Sequence, residues 1–274
     1  YGINTGFGIF ADRRIAPEDA ALLSRNLIIS HAVATGEPFS AAVVRAAMLI
    51  RANTLAIGHS GARPIIVETL LAMLNAEVHP IIPQQGSLGS SGDLGPLSHL
   101  ALALSRDDAD REEESGLAEY GGQRTSGAAA MRAAGISRPV LQSKEGLALN
   151  NGATFSAALA ALVVADGENL LRNAEIALAQ ALEALLGVPA AFDERIHAAR
   201  RHAGQQAVAA AVRRLIAGST FVGAAGRVQD PYSLRCAPQV LGPVRDTLEC
   251  GRHWVEDEIN AATDNPLFFA GDEA

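Results

Sequence analysis

Cysteine is scarce in this chain. Cys236 and Cys250 are the only two in 274 residues, which excludes a disulfide framework and offers no metal-binding spacing. Aromatic residues make up only 4% against 49% hydrophobic overall, so the apolar content is aliphatic and alanine-rich. That balance favours a helical protein with a large core. The seven histidines include no His-x-x-x-His pair with an acidic neighbour, so no metal site is expected. No dinucleotide-type glycine fingerprint follows a strand pattern, no fixed-period repeat is present, and no secretory leader is visible. A cytoplasmic protein is therefore expected. Positive charge is also short: the net charge of −8 works against nucleic acid and anionic membranes.

The negative charge is concentrated. Ser105–Ser115 holds six acids against two arginines and reads as a solvated loop. Residues 146–165 are uncharged throughout, long enough to suggest a membrane span. Asn150, Asn151, Thr154 and Ser156 interrupt that run, so a buried core helix is the expectation and no membrane partner is implied.

Helical punctuation is frequent. Pro17-Glu18-Asp19 opens a helix expected to reach about Thr35, with Gly36 as terminator. Ser40 heads a second, with Val43, Ala47, Ile50, Thr54 and Ile57 at three- and four-residue spacing. Pro64–Asn75 reads as a third. Leu117–Tyr120 and Gln123–Thr125 flank Gly121-Gly122 as a small hairpin, and a short helix follows over Ala128–Ala134. The longest periodic stretch runs from about Ser143 to Leu186, closed by Gly187, with Gly152 and Gly167 as possible kinks. Further helices are expected near Gln205–Ala217 and Gln239–Asn260. The fold class is all-α: an elongated helical bundle with a minor β element around residues 86–96.

Those residues, Gly86-Ser87-Leu88-Gly89-Ser90-Ser91-Gly92-Asp93-Leu94-Gly95-Pro96, carry the most information. By composition alone they are a flexible turn. Ser90-Ser91-Gly92, however, is a tripeptide whose backbone can close on itself. Attack of the Gly92 nitrogen on the Ser90 carbonyl carbon gives an imidazolone, and dehydration of Ser91 leaves an exocyclic methylidene electrophile. Glycine permits the dihedrals and close approach this needs. Asp93 and Pro96 are helix-start signals, placing the tripeptide at a positive helix end.

Gly86–His99 resembles the prosthetic-group loop of the aromatic amino acid ammonia-lyases, which include histidine and phenylalanine ammonia-lyases. Four further stretches are similar to that family. They are Tyr1-Gly-Ile-Asn-Thr-Gly-Phe-Gly, Asn150-Asn151-Gly152, Gln229-Asp-Pro-Tyr-Ser-Leu-Arg-Cys236 and Thr263-Asp-Asn-Pro-Leu267. The resemblance covers the whole chain. It implies an ammonia-lyase/fumarase-like fold, with residues 1–142 as the N-terminal part and 143–274 as the start of a central long-helix bundle. It also implies a 4-methylideneimidazol-5-one formed from Ser90-Ser91-Gly92 with no external cofactor, a small aromatic amino acid as substrate, and a homotetramer. Relatives of this kind extend beyond both ends, so the chain resembles an internal fragment. Ser90 departs from the alanine usual in the family. Its side chain becomes a ring substituent and is not consumed.

Roles follow from the resemblance and from side-chain chemistry. Ser91 supplies the electrophile. Tyr1, on a glycine-rich loop, is the implied proton-abstracting base, and needs a stabilised phenolate to act as one. Arg235 has the fork geometry for a substrate carboxylate, with Gln229 and Tyr232 as further contributors. Asn151, in an apolar run, is implied to orient ring or substrate, and Asn150 beside it is structural. His31, in Asn26-Leu-Ile-Ile-Ser-His31, resembles the histidine-specific version of the selectivity helix and can hydrogen-bond an imidazole. The implied reaction is elimination of ammonia from L-histidine to give urocanate. The alternatives are a phenylalanine or tyrosine lyase, a 2,3-aminomutase, or a catalytically silent helical piece.

Overall fold

The computed structural model describes residues 1–269 and 271; the end of the 143–274 segment, residues 270 and 272–274, lies outside them. The chain divides into two compact units. One comprises Tyr1–Ala160 with Glu256–Ala274, the other Ala161–Val255. Both are helical, and the strands all belong to the first.

In the first unit the helices are α1 (Ala20–His31), α2 (Ala41–Ala56), α3 (Pro64–Asn75), α4 (Leu94–Leu104), α5 (Gly127–Ala133), α6 (Glu145–Asn150) and the start of α7 (Thr154–Ala184). The strands are β1 (Thr35–Pro38), β2 (His79–Pro80), β3 (Pro83–Gln85), β4 (Leu117–Tyr120) and β5 (Gln123–Ser126). α4 has no charged residue and packs against α1, α5 and α6. Leu97, Leu100, Ala101 and Leu104 are all fully buried, as expected of a helix that is apolar on every side. α2 and α3 pair with each other, with Val44, Ala47, Met48, Ile66 and Leu70 in the core.

β1 pairs antiparallel with β3, and β2, β4 and β5 form a second antiparallel sheet. β4 and β5 close the expected hairpin, Tyr120 opposite Gln123. Gly121 and Gly122 take φ of 57° and 76°, the signs a two-residue primed turn requires.

Four expectations are corrected. The first helix stops at His31 rather than Thr35, because Thr35–Pro38 is drawn off as β1 against Pro83–Gln85. Ile57 lies just outside α2 and is exposed. The Ser143–Leu186 stretch is not one helix: it breaks between α6 and α7 at Asn151–Ala153, where Gly152 adopts φ of 116°, and passes unbroken through Gly167. The acidic run is not simply solvated. Ser105 and Ser115 are fully buried, and Asp107, Asp110 and Glu114 form ion pairs with Arg111 or Arg138.

The second unit contains the rest of α7, then α8 (Glu194–Arg200), α9 (Ala203–Leu215), α10 (Tyr232–Arg235) and α11 (Ala237–Ile259), the last running back into the first unit. Its core is Leu178, Leu182, Phe192, Val208, Val212 and Leu234. Beyond the end of α7 Leu186 turns left-handed, with φ of 52°, and Gly187 donates its N–H to Leu182 O at 2.7 Å, wrapping the C-terminus. Among the described residues α7 is the one helix long and apolar enough to cross a membrane. Less than a third of its most apolar stretch is buried within the chain, so the expected buried core helix is largely uncovered.

Candidate active site

β3 delivers the chain into the loop at Gly86, and α4 takes it away at Leu94. Between them the backbone folds back on itself. Gly92 donates its N–H to Gly89 O at 3.3 Å, and Leu88 donates to Gly92 O at 3.1 Å. Ser90 and Ser91 therefore occupy the two central positions of a four-residue turn. Gly89 and Gly92 have φ of 75° and 78°, which an L side chain resists. Ser90 is exposed and Ser91 half-buried. The tripeptide expected to cyclise is thus already bent, with the Gly92 nitrogen turned into the concave side. The residues fit a self-formed imidazolone.

A second segment braces the turn. Gly152 donates to Ser91 O at 3.2 Å, and Asp93 donates to Gly152 O at 3.1 Å, making an isolated parallel bridge between Gly92 and Gly152. A Cβ on Gly92 would lie 3.1 Å from both Gly152 O and Ala153 Cα, so glycine is needed there for space as well as for φ. The break between α6 and α7 is what frees these backbone groups for the loop. Asn151 is carried into place beside Ser91 as a consequence. Its N–H bonds Leu147 O at 3.0 Å and its carbonyl accepts from Arg51 at 2.9 Å. Asn150 faces the core, fully buried, donating to Ser98 Oγ at 3.3 Å.

Asp93 immediately precedes α4, yet its carboxylate does not cap that helix. It turns to the first turn of α7 and accepts the Ser156 N–H at 2.9 Å and the Ser156 hydroxyl at 3.2 Å. A buried carboxylate there satisfies donors that a helix start leaves open. Asp93, Ser87, Pro96, Phe39, Phe155 and Ser156 line a cavity of about 460 Å³ beside the loop.

Tyr1 and His31 belong to another neighbourhood of the same unit. The Tyr1 hydroxyl accepts the Gly8 N–H at 3.2 Å, and its ring meets Phe7 edge-on at 6.2 Å. His31 lines a mostly apolar cavity of about 620 Å³ with Gly6, Phe7, Phe10, Leu27 and Ser30. Its Nδ1 lies 2.9 Å from Leu27 O. Ser30 Oγ lies 3.0 Å from the same nitrogen; a carbonyl can only accept, so the tautomer with its proton on Nδ1 suits Leu27 O and leaves Nε2 for the cavity. Among the described residues no hydrogen bond or ring contact joins Tyr1 or His31 to Ser90–Gly92. The structure places Ser90, Ser91, Gly92 and Asn151 together, and Tyr1 against Phe7, a residue that lines the cavity of His31.

Gln229, Tyr232 and Arg235 lie in the second unit. Asp230 anchors their segment: it is buried, accepts the Val188 N–H at 2.6 Å and pairs with Arg227 at 2.9 Å. Pro231 then starts α10. The Arg235 guanidinium stacks 4.3 Å from the Tyr232 ring centroid, which fixes its face and leaves its edge for a carboxylate. Gln229 and Tyr232 are exposed.

Reading the sequence missed Arg51, Lys144 and Asp264. Arg51 is fully buried, and burial holds its guanidinium down to about 10, with the Asp264 and Asp93 carboxylates opposing. Lys144, the sole lysine among twenty-two basic residues, pairs with Asp264 in the core. A charged residue on the apolar stripe Val44, Ala47, Met48, Arg51, Leu55 was the available signal.

A mostly helical scaffold with a braced glycine-serine turn at a helix start defines the class. The chain belongs to the aromatic amino acid lyase family, whose profile matches residues 1–274. It is 51% identical over 272 residues to histidine ammonia-lyase from Geobacillus kaustophilus, an alignment covering 98% of this chain and 52% of that relative. It is also similar to the solved structure of histidine ammonia-lyase from Trypanosoma cruzi, with 39% identity and a TM-score of 0.85 over 99% of this chain and 49% of the other. Tyrosine aminomutase from Streptomyces globisporus gives 38% identity and a TM-score of 0.89, covering 100% and 54%. The chain spans about half the length of the curated relatives it matches.

Proposed function

We propose that the complete protein is a cytoplasmic, homotetrameric carbon–nitrogen lyase that eliminates ammonia from L-histidine to give trans-urocanate. The observation that carries this reading is the braced turn at Ser90-Ser91-Gly92, held by backbone pairing to Gly152. The family match and the histidine ammonia-lyase relatives support it.

When formed from this tripeptide, 4-methylideneimidazol-5-one supplies an electrophile that makes the substrate amine a better leaving group, with no external cofactor. The remaining work falls to side chains. Tyr1 removes the β-proton through its phenolic oxygen, a role supported by its place in the Tyr1–Gly8 motif. Arg235 holds the substrate carboxylate with its free edge, and Gln229 and Tyr232 flank it. Asn151 orients groups beside Ser91. His31 accepts the imidazole N–H of the substrate at Nε2, which gives histidine an advantage over phenylalanine.

A 2,3-aminomutase is the second reading, favoured by the TM-score of 0.89 to a tyrosine aminomutase. Product analysis separates them. The full-length enzyme is assayed with histidine, tyrosine and phenylalanine, following both ammonia and β-amino acid. Histidine-dependent ammonia release with urocanate is the expected result. A β-amino acid product, or a kcat/KM preference for tyrosine or phenylalanine, would reject the histidine-lyase assignment.

A further inference from the structure

We infer that Arg51 is the positioning residue that holds Ser90-Ser91-Gly92 in the geometry from which it cyclises, acting through the Asn151–Ala153 segment. The inference rests on the proposed lyase reading and adds a residue to it.

Arg51 is completely buried near the end of α2. A buried guanidinium is costly unless its donors are used. Here the two terminal nitrogens are aimed at one place, while Nε has no hydrogen-bond partner among the described residues. Nη1 donates to Ala148 O at 3.1 Å, and Nη2 donates to Asn151 O at 2.9 Å and to Thr154 Oγ1. The two carbonyls are at the C-terminus of α6, where a helix leaves carbonyls unpaired, and Thr154 is the first residue of α7. One side chain therefore clamps both lips of the three-residue break.

The clamped segment is also the one that touches the loop. Gly152 exchanges hydrogen bonds with Ser91 and Asp93 across the parallel bridge. A Cβ on Gly152 would lie 3.0 Å from Arg51 Nη2 and 2.9 Å from Thr263 Oγ1. The backbone is thus pressed between the guanidinium and Thr263 on one side and the loop on the other. The order of dependence is Arg51, then Asn151–Ala153, then Ser91–Asp93.

Cyclisation is sensitive to that support. The Gly92 N–H adds across the Ser90 carbonyl, nitrogen to carbon and hydrogen to oxygen. The resulting hydroxyl leaves as water with the Ser91 N–H hydrogen. Ser91 Oγ then leaves as a second water with the Ser91 Cα hydrogen. No oxidant or other reactant is needed, so the rate is governed by how well the turn is held. Misplacement by about 1 Å can cost about 10²-fold in such a reaction.

The test uses the full-length protein and reads intact mass, near-ultraviolet absorbance, far-ultraviolet circular dichroism and kcat. Wild type is expected to be lighter than its encoded mass by two waters. Arg51→Met is expected to fold with the cyclised fraction and kcat each reduced by about 10²-fold. Arg51→Lys, which keeps a donor, is expected to recover most of both. Thr154→Val removes one contact of the clamp and is expected to give an intermediate cyclised fraction, which decides the matter if Arg51→Met does not fold. Folded Arg51→Met, or failing that Thr154→Val, with wild-type cyclisation and kcat would overturn the inference while leaving the lyase reading intact. An uncyclised wild type would overturn the lyase reading itself, and this inference with it.

Discussion

The Lys144 ammonium and the Asp264 carboxylate form an ion pair buried on both sides, with side chains 3% and 1% exposed. Lys144 also donates to Ser60 O at 2.9 Å, and Asp264 accepts from Ser60 Oγ at 2.6 Å. Burial pushes the ammonium below its ordinary range, with the Asp264 carboxylate opposing. The pair fastens the Thr263–Leu267 motif to the entrance of α6. Asp264→Asn would strand the cation, at a cost of about 3–5 kcal/mol. The double replacement Lys144→Met, Asp264→Leu is expected to cost less than Asp264→Asn alone. Urea midpoints of the three proteins check this. A double variant at least as unstable as Asp264→Asn would contradict this account of the pair.

Gly152→Ala is expected to destabilise the chain by at least about 1–3 kcal/mol, from its φ of 116° alone. The close approach of Arg51 and Thr263 adds to that cost. Gly167→Ala makes the contrasting control, because Gly167 lies inside continuous α7 and the atom nearest its Cβ would be Leu248 Cδ2 at 2.7 Å, the end of a side chain that can turn aside. Equal urea midpoints for the two variants would contradict the account of the break.

Local signals explain what could be read in advance. Pro64–Asn75 has a proline at its start and agrees with α3 end to end, and Gly121-Gly122 fixes a hairpin by turn chemistry alone. The glycine-serine tripeptide and Asn151 were legible as motifs, and the fold brings them together. What escaped depends on partners distant in sequence. Ala32–Thr35 looks like the tail of a helix until Thr35–Pro38 is seen paired with Pro83–Gln85. Helical periodicity runs through Asn151–Ala153 because it cannot register that Gly152 bonds to Ser91 and Asp93. Asp93 reads as a cap for the next helix, whereas its carboxylate serves α7. The acidic run hides its ion pairs for the same reason: Arg138 meets Asp110 only in the fold.

Acid is expected to weaken the first unit through two histidines. Burial lowers the affinity of His79 for a proton, aided by the charge of Arg45, whose Nη1 lies 3.0 Å from His79 Nε2. Burial alone does the same for His99. An unfolded imidazole takes a proton near pH 6.5, about the reference value, and the folded one only at lower pH. The unfolded chain therefore gains protons first, and stability present above pH 6.5 is lost as pH falls through that window. Melting temperatures recorded from pH 7.5 to 5 should fall less steeply in His79→Gln, His99→Gln protein than in wild type. An unchanged slope would assign the acid sensitivity elsewhere.

Substrate choice is expected to turn on His31. Its Nδ1 lies against Leu27 O and Ser30 Oγ, so Nε2 is the nitrogen left to accept the substrate imidazole N–H, and it has nothing to accept from a phenyl ring. Binding phenylalanine would bury that nitrogen without a partner, at about 1–3 kcal/mol. His31→Leu removes both the benefit and the penalty. The ratio of kcat/KM for histidine over phenylalanine is then expected to fall by about 10–100-fold in the full-length enzyme, the same energy expressed as a rate ratio. Because Leu fills the wall beside Phe7 and Phe10 without a polar atom, the change should come from poorer histidine turnover and better phenylalanine turnover together. A ratio that stays at the wild-type value, with the variant folded, would remove His31 from the specificity-determining set and leave that role to residues of the second unit or beyond the chain.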